Sequence, residues 1–352
     1  MIKITDSMPG RTVVCDGREW LFFSGFSYLG MHTSPVFRQL LAEGQERFGS
    51  VYPSSRIGNL QLRLYEELEH ALAVHTGQQA AACFSSGYLS AQAAVTYAVT
   101  KGTPLYAPGA HPALRFPGAV VTSGNWEDWL DTTVDMLNRE PDHTYVLISD
   151  AVDPLRGEVH DFSALARLER KALVLIDDSH GIGVLGARGE GISGMLPISE
   201  NAHYLITASL AKAYSLEGGM VAGHAADIAA IRRLPLFTAS TPIIPANAFA
   251  WLKAEHAFSD ARKLLRGNIT ALERLTGAID ELPNPHELPM FVLEDPSEAV
   301  YSWLLSRDSL ISSFAYPDPQ GDRINRIILS ALHTPDDLEM IAAQLLQYYS
   351  RT

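Results

Sequence analysis

Ala172-Leu-Val-Leu-Ile-Asp177-Asp178-Ser179-His180-Gly181-Ile182-Gly183 is the stretch that decides the fold. Its opening residues are apolar on both faces, as in a strand buried on two sides within a parallel sheet. Two carboxylates and a histidine follow at once, and a glycine-rich turn closes the stretch. A carboxylate at the carboxyl end of such a strand enters the crevice where open α/β sheets hold their ligands. It can hold a cation or a protonated ring nitrogen there. Taken alone, the Asp-x-x-His pattern reads more readily as a helix cap followed by a turn.

Working outward, the run Tyr145–Ile148 has the same two-sided apolar character. Shorter runs lie at Ala81–Phe84, Leu105–Ala107, Ala119–Thr122, Tyr204–Thr207 and Met220–Ala222, with helical patterns between them. That alternation predicts an α/β domain built on a mostly parallel central sheet. Upstream, Thr12–Cys15, a turn at Asp16-Gly17 and Trp20–Phe23 read as a hairpin. Amphipathic spacing predicts helices over Ser34–Phe48 and about Leu60–His75.

Beyond Pro235 a Pro-rich turn precedes one long helical pattern from Ala246 to Leu282. Strand patterns at Pro289–Leu293, Ile311–Ala315 and Arg326–Leu332 then mix with helices near Ser297–Ser306 and over Pro335–Tyr349. The expected division is an N-terminal segment (1–45), a large α/β domain (46–235) and a smaller α+β C-terminal domain (236–352) on which the N-terminal segment packs.

The 352 residues carry 27 Lys+Arg against 40 Asp+Glu, a formal net charge of −13. Nucleic acid and anionic membrane both recruit clustered Lys and Arg, so neither is expected as a partner. No apolar run approaches the roughly 20 residues needed to span a bilayer, and the first residues lack the basic and apolar regions of a signal peptide. Two cysteines, Cys15 and Cys83, make neither a disulfide framework nor a metal site, and no metal is expected. A soluble cytoplasmic protein is the expectation.

Two further places carry residues that packing alone does not call for. Lys212 stands three residues after Ser209 in the small, apolar Thr207-Ala-Ser209-Leu-Ala-Lys212-Ala stretch of a lysine-poor chain. A desolvated lysine can form a Schiff base with an aldehyde, although a single lysine is more commonly surface charge. At Phe84-Ser85-Ser86-Gly87-Tyr88-Leu89 a strand ends and a helix begins, an arrangement whose exposed N–H groups suit a phosphate, or simply a turn and cap.

The order of these signals (phosphate segment, strand-end Asp177 with Asp-x-x-His-Gly, then Ser209-x-x-Lys212) resembles that of the α-oxoamine synthases, a family of fold-type I pyridoxal-phosphate transferases. Matching stretches span nearly the whole chain, from Gly10-Arg11 and Tyr28-Leu29-Gly30 to Pro245-Ala246 and Arg326…His333. The resemblance implies pyridoxal 5′-phosphate as cofactor. It implies condensation of an amino acid with an acyl thioester of CoA or an acyl carrier protein, with or without loss of carbon dioxide. It assigns Lys212 to the cofactor aldehyde and to proton transfer, Asp177 to the pyridine nitrogen, His180 to the phenolic oxygen and His111 to the pyridine face. Ser86, Gly87, Tyr88 and Ser209 fall on the phosphate side. Ser240 and Thr241 fall where the family reaches the neighbouring subunit's phosphate, which implies a homodimer with shared active sites. Arg326 matches the arginine for the substrate carboxylate, and a structural salt bridge is its plain alternative.

The chain also departs from the pattern, as a divergent member would. Phe26 stands where the family places an asparagine, and a phenyl ring offers no hydrogen bond. Pro154 replaces a serine near the cofactor oxygen, and the glycine-rich loop becomes Gly49-Ser-Val-Tyr-Pro-Ser54-Ser55-Arg56-Ile-Gly58, in which Arg56 is either an added cation or surface charge. These changes leave two other readings open: an aminotransferase or decarboxylase, and a non-catalytic dimer partner of an active homologue.

Overall fold

In the computed structural model, residues 3–140, 142–315 and 320–351 are described. The chain opens with β1 (Thr12–Cys15), β2 (Arg18–Phe23), α1 (Pro35–Phe48), α2 (Arg63–His75), β3 (Ala80–Phe84) and α3 (Gly87–Ala98). It continues through β4 (Thr103–Tyr106), α4 (Trp126–Arg139), β5 (Tyr145–Asp150), β6 (Val152–Asp153), β7 (Glu158–Val159), β8 (Ala172–Asp177), β9 (Ala202–Ser209) and β10 (Gly219–Gly223). Then come α5 (Ala225–Ile231), α6 (Pro235–Thr238), α7 (Pro245–Lys253) and α8 (Glu255–Thr276). The last elements are β11 (Met290–Leu293), α9 (Glu298–Leu305), β12 (Ser309–Ala315), β13 (Arg323–Ile328) and α10 (Pro335–Tyr349).

Two compact units result, one of residues 35–153 and 159–255, the other of 1–34, 154–158 and 256–352. The larger holds a six-stranded sheet in the order β3-β10-β9-β8-β5-β4. β4, β5, β8 and β9 run parallel, and β10 is antiparallel to both its neighbours. The sheet is apolar on both faces: Phe84, Ile148, Leu175, Leu205 and Val221 are buried on one, with Val95 of α3, and Leu147, Ile176, Ile206 and Met220 on the other. The second unit has a five-stranded sheet, β1-β2-β12-β13-β11. The hairpin turn at Asp16 and Gly17 has positive φ at both residues, the geometry a two-residue hairpin loop requires. β2 then pairs in parallel with β12, so the N-terminal hairpin is part of this unit's sheet.

The unit boundaries differ from those expected at 45 and 235, for packing reasons. α1 goes with the larger unit because Gly44 lies against Ala246, where an added Cβ would meet the Ala246 Cα at 2.9 Å, and because Phe48 packs on Phe249. α6 and the segment before α7 also stay there: Phe237 sits edge-on to Phe84 at 5.5 Å, and the Tyr65 hydroxyl donates to the Ile243 carbonyl at 2.9 Å. The single helix expected over 246–282 is two, broken at buried Ala254, with α7 packed against α1 and α2. The run Ala119–Thr122 is no strand: Ala119 and Val121 pack against the core while Val120 is exposed, but the run's pairing amounts to a bridge from Val121 to Tyr106. Among the described residues no helix is long and apolar enough to cross a membrane, and no group of three His, Cys, Asp or Glu could hold a metal ion.

Candidate functional site at the carboxyl end of the six-stranded sheet

β5, β8 and β9 deliver their last residues to one end of the sheet, where Asp150 is in register with Asp177 and Asp177 with Thr207. Asp177 is buried, and its Oδ1 accepts the Ser179 N–H at 2.9 Å. The Ser179 hydroxyl in turn accepts the Ser209 N–H at 2.9 Å, which ties the Asp177–His180 turn to the segment leading to Lys212. His180 is half-buried in that turn.

The two adjacent aspartates take opposite directions, as successive residues at a strand end do. Asp178 turns into the protein, where its Oδ2 accepts the Ile192 N–H at 2.9 Å. Its carboxyl fills the space beside Gly181 and Gly191, whose added Cβ atoms would lie 2.0 and 1.8 Å from its oxygens. The glycines of the run are therefore packing requirements. Gly183 is another: at φ +80° its missing Cβ admits Ala213, the residue after Lys212.

Lys212 is half-buried in the turn after β9, held by Leu210 N–H to Gly218 O and Leu216 N–H to Leu210 O. Its charge acts on both His111 and Asp150. His111 precedes a short 3-10 turn, accepts the Ala113 N–H on Nδ1 at 3.1 Å, and presents an exposed ring. Loss of water on its inner side lowers the ring's pKa; the Asp177 charge opposes that effect, and Lys212 and Arg115 reinforce it. Lys212, Asp177 and His111 thus share one electrostatic neighbourhood.

On the other side of the cluster, α3 starts against the end of β9. The Ser86 hydroxyl accepts the Leu89 N–H at 3.2 Å as N-cap. A Cβ on Gly87 would lie 2.4 Å from the Ser209 Cβ, and one on Gly219 would lie 2.3 Å from the Ser86 carbonyl, so only glycines allow this approach. Tyr88 is exposed beside it. Ser240 donates to the Leu236 carbonyl at 2.6 Å, and Thr241 is exposed at the surface of this unit.

Arg326 belongs to the second unit, on β13. Its Nη1 donates to the Pro154 carbonyl at 2.5 Å, and its guanidinium lies over the Phe314 ring at 5.2 Å. Pro154, which has no side-chain hydroxyl, thus meets Arg326 through its carbonyl. Phe26 is exposed in the same unit. Arg56 is buried rather than surface charge: Nη2 binds Glu69 at 3.0 Å, and the guanidinium sits between Tyr65 and Phe237.

Sequence reasoning gave Asp150 no role, yet it joins the cluster through its Oδ2, which accepts the His111 N–H at 2.8 Å. Burial, and next the Asp177 charge, push its carboxyl well above the usual carboxylate range. The available signal was its place at the end of an apolar run, as Asp177 ends the run Ala172–Ile176.

Residues 133–345 match the family of class I and II aminotransferases. An 8-amino-7-oxononanoate synthase of Nitrosomonas europaea is 30% identical over 353 residues, covering 95% of this chain and 90% of that protein. A serine palmitoyltransferase variant from S. paucimobilis, solved with a bound PLP–myriocin aldimine, superposes with a TM-score of 0.85 at 18% identity, over 99% of this chain and 92% of that one. The 8-amino-7-oxononanoate synthase of Francisella tularensis superposes with a TM-score of 0.73 at 20% identity, over 94% and 99%.

Proposed function

The chain belongs to the class I and II aminotransferase family, in its α-oxoamine synthase branch, and on that premise we propose that it joins an amino acid to an acyl thioester with pyridoxal phosphate as cofactor. The single observation that carries the reading is the grouping of Lys212, Asp177 and His111 at one sheet end, beside a helix start that only glycines permit. The donor set fits the cofactor. Asp177 is a buried carboxylate suited to a protonated ring nitrogen, His111 an exposed planar ring suited to a pyridine face, and Lys212 an amine suited to an aldehyde.

When bound, pyridoxal phosphate supplies an aldehyde for the substrate amine and a ring that accepts the electron pair left when the α-proton departs. Lys212 Nζ would hold the cofactor aldehyde and would serve as the base for the substrate's α-proton. Asp177 would keep a proton on the ring nitrogen, which the ring needs to act as an electron sink. The N–H groups at the start of α3, with Ser86 and Ser209, would bind the phosphate. By the resemblance, His180 would serve the cofactor's phenolic oxygen, and Arg326 would take the substrate carboxylate as a charge-assisted pair. The substrate's α-carbon attacks the thioester carbonyl; a carbon–carbon bond forms and the thiol leaves.

The same reading makes the working unit a pair of chains, with Thr241 of each serving the other's phosphate site. Its support here is that Thr241 is exposed. Sedimentation should then give twice the chain mass.

Loading the apo-protein with pyridoxal phosphate should give an absorbance band that borohydride bleaches, leaving the cofactor covalently attached in wild type and not in Lys212→Ala. A wild-type chain that binds no cofactor refutes the reading. Free thiol should appear from an acyl-CoA only when an amino acid is added. Keto acid without thiol release would place the protein with the aminotransferases instead.

A further inference from the structure

The Asp150 carboxyl has no task in the chemistry above, although it stands beside the groups that perform it. Asp150 ends β5 and Asp177 ends β8, and the two are opposed in a parallel register. Neighbouring strands lie about 4.8 Å apart and opposed residues leave the same face of the sheet. Two carboxyl groups therefore emerge side by side, and like charges this close do not both ionise readily. Each is fixed by a different backbone donor: Asp177 Oδ1 by Ser179 N–H, Asp150 Oδ2 by His111 N–H. The titratable groups facing Asp150 are Asp177 across the strand pair, His111 from the loop after β4, Lys212 from the turn after β9, and Asp153 on β6.

We infer that Asp150 is a positioning residue of this site, which stays neutral, anchors the His111 backbone through Oδ2, and leaves Asp177 as the charged member of the pair. Its consequence for catalysis rests on the cofactor reading above, but its protonation state is a property of the apo-protein. A second negative charge here would make His111 and Lys212 hold their protons more tightly. Lys212 Nζ would then be a poorer partner for an aldehyde. The upward push on the Asp150 carboxyl, from burial first and then from Asp177, agrees with a neutral group.

The test compares the full-length apo-protein with Asp150→Asn and Asp150→Ala. Asparagine keeps an oxygen for the His111 N–H without a charge, whereas alanine removes the anchor. NMR of histidine-labelled protein gives the pH midpoint of the His111 ring, recognised by its loss in His111→Gln. In Asp150→Asn that midpoint should stay within about half a pH unit of wild type. A larger change means that a charge was removed, and overturns the inference.

Titration with pyridoxal phosphate should show Asp150→Asn within about threefold of wild type and Asp150→Ala weaker by about tenfold or more. Wild-type affinity in Asp150→Ala overturns the anchoring role. If wild type itself binds no cofactor, the functional reading falls while the His111 midpoint still decides the state of Asp150. Should Asp150→Ala fail to fold, the Asp150→Asn midpoint carries the test alone.

Discussion

Asp178 shows how much one residue can demand of its neighbours. Its Oδ1 is buried without a hydrogen-bond partner among the described residues, and burial pushes its pKa well above the usual carboxylate range. The folded state therefore binds this proton more tightly than the unfolded chain does. The contribution is fully present below the ordinary carboxylate pKa and is lost as pH rises towards the raised one. Urea unfolding from about pH 4 to 7 should show wild type losing stability relative to Asp178→Asn, which has no proton to lose. Gly191→Ala places a Cβ 1.8 Å from Asp178 Oδ2 at φ +72°, and should cost about 3 kcal/mol in the same assay. The sequence displayed Asp177, Asp178 and His180 as one motif, and the family order singled out Asp177. That Asp178 serves the glycine turn, and that Asp150 belongs beside Asp177, depends on side-chain direction and strand register, which spacing alone does not encode.

Among the elements, β2 is joined to the turn before α10 through His333. Its ring stacks on Phe23 at 4.4 Å, Nδ1 accepts the Ser330 N–H at 3.0 Å, and Nε2 donates to the Phe22 carbonyl at 3.2 Å. Burial pushes its pKa down to about 4, against the pull of Phe22 O and Asp337. Below the ordinary imidazole pKa the unfolded chain takes up a proton that the folded one refuses. Stability should therefore fall by up to about 3 kcal/mol between roughly pH 6.5 and 4. His333→Phe keeps the stack and should flatten that slope in urea titrations. Most elements here were legible because their periodicity agrees with their burial, as in the final helix, Pro335–Tyr349, with Pro335 at its start. The break between α7 and α8 was not, because Ala254 is neither Gly nor Pro and the chain turns there where one compact unit gives way to the other.

At the largest scale, each unit depends on a few buried connections. In the larger one Glu69 accepts from Arg56 at 3.0 Å, Arg232 at 2.7 Å and the Cys83 N–H at 3.0 Å, which joins the segment before α2, β3 and the end of α5. Arg56 is almost fully buried there, so Glu69→Gln strands a desolvated cation and should lower stability by about 3 kcal/mol in urea denaturation. The expected boundaries at 45 and 235 missed this scale because α1 and α6 are placed by partners such as Ala246 and Phe84, far away in sequence. The edge strand β3 has a timing consequence. Its one sheet partner is β10, with Phe84 opposite Gly219. During synthesis on the ribosome, β3 emerges long before that partner exists and waits as an open edge, a template for mispairing and a natural hold for a chaperone. The close approach of Ser86 to Gly219 at the start of α3 therefore cannot form until β10 has left the exit tunnel.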